Sequence, residues 1–108
     1  MEPVKIRIFS MLKDGDGEAQ TTEQRYVGTM TERSGKYYVM YKEDAQSGLE
    51  GTKTTLKWDQ NRVIIMRSGT VEHRQEFVQG YKDKSLYQTP YLKISLLTHT
   101  RYLYTYFR

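Results

Sequence analysis

Apolar and polar side chains alternate with a period of two along much of this chain. Near the start, Val4, Ile6 and Ile8 are separated by Lys5 and Arg7. Successive side chains of a β-strand point to opposite faces, so this alternation is typical of a strand with one buried face. No segment repeats apolar residues at helical spacing over a comparable length. The pattern predicts an all-β protein.

Turn-forming residues divide the chain into short segments. Asp14-Gly15-Asp16-Gly17, Ser34-Gly35 and Asp59-Gln60-Asn61 contain the residues that tight turns favour. After the first strand, we predict strands over 23–30, 36–43, 52–58, 62–67, 70–78, 85–91, 93–98 and 101–107. Short strands at this spacing indicate one antiparallel meander of about eight strands.

Length and composition limit the core. The 108 residues have room for one core, so residues 1–108 are predicted to form a single domain. Only 37% of the residues are hydrophobic, and ten residues are tyrosines. A tyrosine buries its ring only if its hydroxyl finds a partner or stays in water. We therefore expect a small core.

The absence of cysteine excludes disulfides and thiolate chemistry and fits a reducing compartment. No apolar leader follows Met1, and no stretch approaches the length of a membrane span. We expect a soluble cytoplasmic protein without membrane association or a cofactor.

Sites for metal ions and catalysis are also not predicted. The acidic run from Asp14 to Glu18 invites a calcium-loop interpretation, but position twelve of such a loop would be Arg25 rather than glutamate. His73 and His99 lie far apart in predicted strands, and His73, among charged residues, is expected to be exposed to solvent. No nucleophile elbow or phosphate-binding loop is present. We therefore predict a non-enzymatic protein.

The second half of the chain is basic and rich in tyrosine. Residues 51–108 contain ten Lys or Arg against four Asp or Glu, and residues 81–108 contain seven of the fourteen aromatic residues. Basic and stacking side chains on a β-barrel are typical of single-strand nucleic-acid binding. The alternative, that tyrosines are ordinary strand formers and lysines ordinary solubilising residues, is preferred because no motif sharpens the pattern.

The last predicted strand, 101–107, is apolar on both faces. Tyr102, Tyr104 and Tyr106 alternate with Leu103, and Phe107 follows. A strand with two apolar faces belongs inside a sheet, because an exposed edge of this kind is prone to association. It either closes a barrel against the first strand or pairs with a second molecule in a homodimer.

Several segments resemble the YwiB-like proteins of Firmicutes, a family that carries a domain of unknown function. The matching segments are Val4-Lys5-Ile6-Arg7-Ile8 with the following Asp-Gly turn, Tyr38 to Glu43, Thr54-Thr55-Leu56-Lys57, Arg67-Ser68-Gly69, Arg74, Phe77 and Tyr87-x-Thr89-Pro90-Tyr91. Two features differ: family members usually have glycine where Leu92 stands here, and they continue beyond the last residue of this chain.

The resemblance implies a cytoplasmic bacterial β-barrel of the calycin type, related in topology to lipocalins, with no catalytic residues to transfer. Barrels of this kind enclose a pocket, so we expect a binding module for a small molecule. The candidate ligand-binding residues are Arg67, Arg74, Tyr87 and Tyr91, because arginine beside aromatic rings suits a carboxylate or a phosphate. A purely structural role for the same residues is the alternative. By this resemblance the C-terminus is shorter than that of the family members, which leaves closure of the barrel open.

Overall fold

A computed structural model of the protein describes residues 1–104. Its strands are β1 (Glu2–Leu12), β2 (Gln20–Arg33), β3 (Lys36–Lys42), β4 (Thr52–Trp58), β5 (Arg62–Gly69), β6 (His73–Val78), β7 (Lys82–Gln88) and β8 (Lys93–His99). Within the described residues, no helix has the length and apolar character needed to cross a membrane. The all-β prediction is confirmed, and the predicted strands differ from the observed ones mainly at their ends.

The strands form a meander in which each pairs with the next along the chain. β1 to β6 make one six-stranded antiparallel sheet, and β7 and β8 make a separate hairpin. An isolated antiparallel bridge between Glu72 and Gln88 connects the hairpin to the chain just before β6. Among residues 1–104, β1 and β8 do not pair with each other, so the sheet is not closed in this part of the chain.

The predicted turns are where the sequence placed them. Ser34 and Gly35 connect β2 to β3 with φ angles of 52° and 77°, as a two-residue hairpin turn of the primed type requires. In the turn after β1, the amide of Gly17 donates a hydrogen bond to the carbonyl of Asp14 at 2.9 Å. The acidic run is therefore the hairpin turn that its glycines indicate.

The two faces of the sheet differ in chemistry. The register places Tyr41 opposite Thr54 and Thr54 opposite Arg67, and we call the face that carries them the inner face. The opposite, outer face carries the cross-strand pair Lys42 and Lys53. The core of the described residues is small, as expected: its buried hydrophobic residues are Tyr26, Val39, Tyr41, Ile64 and Val71.

Gly28 allows β1, β2 and β3 to pack closely on the inner face. A Cβ atom at this position would lie 2.3 Å from the Met40 carbonyl oxygen and 2.9 Å from Cδ1 of Ile6. The β2–β3 pairing ends at the neighbouring pair, Thr29 and Met40. A residue without a side chain is therefore required where β2 leaves its partner.

The strand predicted over 101–107 is wrong for its described part. Residues 101–104 are not in a strand, and Tyr102 and Tyr104 are exposed. Tyr106 and Phe107 lie outside the described residues. Alternation of side chains was not sufficient to make residues 101–104 a strand, because a strand also needs a neighbour with free backbone groups. Neither β1 nor β8 pairs with residues 101–104.

Candidate functional site

A row of polar side chains crosses the inner face from β3 to β6. Tyr41, Thr54, Arg67 and His73 occupy successive cross-strand positions, each directly opposite the next. We call these four residues the polar row. Tyr41, Thr54 and His73 are buried, and Thr54 has no exposed surface. The antiparallel register thus assembles a buried polar arrangement from residues spread over 33 positions of sequence.

Glu43 lies just beyond β3, at the Tyr41 end of the polar row, and is only 6% exposed. Its carboxylate accepts hydrogen bonds from the hydroxyl of Tyr26 at 3.1 Å and from the hydroxyl of Thr54 at 2.9 Å. Burial raises the pKa of Glu43, but hydrogen bonds from Ser47, Thr54 and the two tyrosines outweigh it, so the pKa lies below its ordinary value. Glu43 is therefore a buried, ionised carboxylate.

The loop after β3 holds Glu43 in this position. The side-chain amide of Gln46 accepts a hydrogen bond from the backbone amide of Arg25 at 3.2 Å and donates one to the carbonyl of Arg25 at 3.1 Å. Gln46 thereby replaces a strand partner along the part of β2 that β3 does not cover. Tyr26, the next residue on β2, packs its ring against Tyr41 with the centroids 4.5 Å apart.

At the other end of the row, Arg67, His73 and Ser85 form a chain of contacts. Nη1 of Arg67 lies 3.0 Å from Nδ1 of His73, and Nε2 of His73 lies 3.0 Å from Oγ of Ser85. A guanidinium has only donors, so Nδ1 must accept. The imidazole proton of neutral His73 is then on Nε2 and is donated to Ser85. This tautomer cannot remove a proton from the serine hydroxyl, as a nucleophile–base pair would require.

His73 is buried, with 6% exposure, so the prediction that it is exposed to solvent was wrong. Its charged sequence neighbours lie on the other face, because side chains alternate along β6. Burial lowers the pKa of His73, and the positive charge of Arg67 lowers it further, while Asp83 acts in the opposite direction. The imidazole is therefore neutral near pH 7.

Of the four candidate ligand-binding residues, the structure brings two together. Arg67 and Tyr87 meet through His73, whose ring contacts the edge of the Tyr87 ring at a centroid distance of 5.3 Å. Arg74 is on the outer face, where it forms an ion pair with Glu76 at 3.7 Å. Tyr91 lies in the turn between β7 and β8 and is 95% exposed. The sequence showed the strands but not which of their faces would meet.

Sequence reasoning did not single out Glu43, Thr54 or Ser85, and it considered His73 only to place it in solvent. The sequence did contain an indication of them in Tyr41-x-Glu43 and Thr52-x-Thr54. In these segments, polar groups occupy the alternate strand positions at which buried apolar residues are expected. Polar groups at core positions must be hydrogen-bonded to one another when buried. Recognising them as one group required the strand register.

Arg67 is the single Lys or Arg on the inner face of the six-stranded sheet, as the register of β1 to β6 shows. Its Nε atom is buried and has no hydrogen-bond partner among the described residues. A buried donor without a partner is uncommon in folded proteins and is costly. Arg67 therefore has hydrogen-bonding capacity that the described residues do not use.

An apolar row runs beside the polar row on the same face. Val39, Leu56 and Ile65 are successive cross-strand partners on β3, β4 and β5, and Phe77 follows nearby on β6. Val39 is buried, whereas Leu56, Ile65 and Phe77 are half-buried. The inner face thus places an accessible apolar surface next to one cation.

Two surface depressions lie over β1 to β4. One of about 410 Å³ is lined by residues of β1 and β2, and one of about 390 Å³ is lined by residues of β2, β3 and β4. A molecule that contacts Arg67 would approach over the half-buried apolar row.

The fold and this site define a class: small antiparallel all-β proteins with a polar arrangement buried on one face of the sheet. Residues 6–107 match the family described as a domain of unknown function, DUF1934, and the chain belongs to this family. It is 30% identical over 99 residues to the uncharacterized beta-barrel protein YwiB of Bacillus subtilis strain 168, covering 92% of this chain and 68% of that protein.

The structural comparison agrees. The crystal structure of the ywiB protein from Bacillus subtilis matches with a TM-score of 0.81 at 30% identity. The match covers 90% of this chain and 66% of that one, so this chain spans slightly less than two thirds of the solved relative. The family resemblance found in the sequence is confirmed. The relative's name describes a β-barrel and assigns it no activity.

Proposed function

We propose that this protein is a calycin-like barrel domain of the bacterial cytoplasm that binds a small amphipathic anion without catalysing a reaction. Arg67 carries the proposal, as a lone cation on the inner face with a buried donor that has no partner. Closure of the sheet into a barrel is part of the proposal, and the β-barrel name of the relative supports it.

The ligand class follows from the two rows on the inner face. A guanidinium recognises a carboxylate or phosphate through several N–H groups at once. The half-buried surface of Leu56, Ile65 and Phe77 favours an apolar body attached to that head group. A molecule with one anionic group and a short aliphatic chain satisfies both requirements.

The absence of catalysis is supported by the chemistry at His73. Its Nδ1 accepts from Arg67 and its Nε2–H points at Ser85, so it is not arranged as a general base for that hydroxyl. The structural alternative is that Arg67 only orients His73. This alternative predicts that the protein binds no small anion at Arg67.

The test uses octanoate as an anionic probe and octan-1-ol as its neutral counterpart. We expect octanoate to raise the melting temperature of the protein, because a ligand bound to the folded state stabilises it. Arg67→Gln should abolish the shift, whereas Arg74→Gln, which removes the same charge from the outer face, should leave it unchanged.

Native mass spectrometry of protein purified without denaturation provides a second measurement. A retained small acid on the wild type that is lost from Arg67→Gln is the expected result. A bare chain mass together with no octanoate-dependent shift would refute the proposal and favour the purely structural role of Arg67.

A further inference from the structure

The outer face of the six-stranded sheet concentrates positive charge. Alternation and register place ten basic side chains and two carboxylates on this face, a net of +8 compared with +4 for the whole chain. The basic residues are Lys5, Arg7, Arg25, Arg33, Lys36, Lys42, Lys53, Lys57, Arg62 and Arg74, and the carboxylates are Glu23 and Glu76. Glu23 contacts two arginines, and so does Glu76.

Lys42 and Lys53 are the most unusual members of this face. They stand directly opposite each other on β3 and β4, and both are exposed. Like charges at directly opposed positions destabilise a sheet. Within residues 1–104, neither forms an ion pair with a carboxylate. Lysines also protect sheet edges from association, but β3 and β4 are central strands, so that explanation does not apply.

The surface around the lysine pair has recesses of suitable size for an anionic group. Two depressions of about 390 and 320 Å³ are both lined by Lys42 and Lys53. Lys57 lies on the same face of β4, with its ammonium 5.5 Å from the centroid of the Tyr38 ring. Basic groups are therefore spread over several strands rather than gathered around one point.

From this array we infer that the outer face, centred on Lys42, Lys53 and Lys57, binds the phosphate backbone of a single-stranded nucleic acid. An array of cations spread across strands matches a polymer with regularly repeated negative charge better than a single small anion. An anionic membrane is the competing partner. Membrane-binding surfaces combine basic residues with exposed apolar ones that insert. On the outer face, the exposed large apolar side chains Phe9, Met11 and Val27 lie on β1 and β2. None of the described apolar side chains on the outer face of β3 to β6, the strands that carry the lysine pair, is exposed.

This inference differs from the binding mode suggested by the sequence. The sequence pointed to the basic, tyrosine-rich second half, residues 51–108, as the binding region. Lys53 and Lys57 belong to that half, but Lys42 precedes it, and the tyrosine-rich segment after residue 80 contributes no residue to the outer face of β1 to β6. It is independent of the proposed ligand at Arg67, which is on the opposite face. Failure of one proposal leaves the other unaffected.

The test is fluorescence anisotropy with labelled oligothymidylate and oligouridylate. We expect wild-type protein to bind at micromolar concentration in about 50 mM salt and to weaken steeply toward about 200 mM, because binding releases counterions. The double variant Lys42→Gln/Lys53→Gln should bind at least about ten times more weakly. Its slope of log affinity against log salt should be shallower by about 1.4, since each single-strand phosphate contact contributes about 0.7.

The matched control is Lys13→Gln/Lys93→Gln, which lowers the net charge equally but changes residues outside β3 to β5. It should bind nearly as wild type does. Equal losses in both double variants would show a general charge effect and overturn the assignment to this face. Absence of binding in low salt would overturn it, as would binding to phosphatidylserine vesicles but not to the oligonucleotides. Thermal melts of both variants confirm that they are folded.

Discussion

At the scale of residues, hydrogen-bonded polar side chains occupy part of the small buried core. Glu43, Thr54 and His73 are among its most buried side chains, and each has a polar partner. Buried polar groups stabilise only when they are satisfied, so Glu43 and Thr54 depend on each other and His73 depends on Arg67 and Ser85.

Glu43→Gln should destabilise the protein by about 1–3 kcal/mol at pH 7, because the hydrogen bonds from Tyr26 and Thr54 would no longer reach a charged acceptor. The pKa of Glu43 is lowered, so its contribution is present above the ordinary pKa of about 4.3 and is lost as the pH falls through the lower folded-state pKa. The two proteins should therefore converge in acid. Urea denaturation measures this, with exposed Glu50→Gln as the control; equal losses in both variants would contradict it.

His73 should make stability depend on pH just below neutrality. Its folded-state pKa is lowered, so the unfolded chain binds a proton first as the pH falls through about 6.5. The free energy of unfolding should then decrease until the pH reaches the folded-state pKa, and it should stay constant at lower pH. The total decrease is about 1.4 kcal/mol for each pH unit that separates the two pKa values. Denaturation at pH 7.5 and 5.5 should show the decrease in wild type and in the His99→Gln control. In His73→Gln, whose neutral amide offers one acceptor and one donor, the decrease should be smaller; an unchanged decrease would exclude His73 as its source.

At the scale of elements, the hairpin of β7 and β8 is connected to the six-stranded sheet by few backbone hydrogen bonds. Two backbone hydrogen bonds between Glu72 and Gln88 connect the hairpin at one end, and Asp83 accepts one from the amide of Glu76. The central strands β3, β4 and β5 are instead paired on both sides. Separately connected units open locally at lower free energy than the whole molecule.

Hydrogen exchange should therefore be faster in β7 and β8 than in β3 to β5. Gln88→Pro removes the amide that donates to Glu72, so it should accelerate exchange in the hairpin while leaving the central strands nearly unchanged. Tyr91→Ser, at an exposed position in the adjoining turn, serves as the control. If β3 to β5 accelerated equally, the hairpin and the sheet would unfold as one unit.

At the scale of the whole molecule, charge is segregated between the two faces of one sheet. The outer face of β1 to β6 carries ten basic residues, whereas the inner face carries Arg67 alone. Self-repulsion on the outer face opposes folding, and dissolved salt screens it over about 8–10 Å at physiological strength.

Raising the salt concentration from about 20 to about 150 mM should thus raise the melting temperature of the wild type. Lys42→Gln/Lys53→Gln should be more stable than wild type in low salt by about 0.2–1 kcal/mol and should respond less to salt. Calorimetry or thermal melts measure both effects, with Lys13→Gln/Lys93→Gln as the control. A lower melting temperature for the first double variant would show that the lysine pair stabilises the sheet.

The sequence alone determined the class of the fold, the approximate number of strands and most turns, because these depend on local properties: side-chain alternation and the φ angles that Gly35 and similar residues allow. It also indicated the family. The tertiary structure decided which faces meet, and with them the site. The polar row exists only because four strands pair in one register, which buries His73 and separates Arg74 from Arg67. Residues 101–104 alternate as a strand would, yet they are not in one, since a strand needs a neighbour and local pattern cannot provide it.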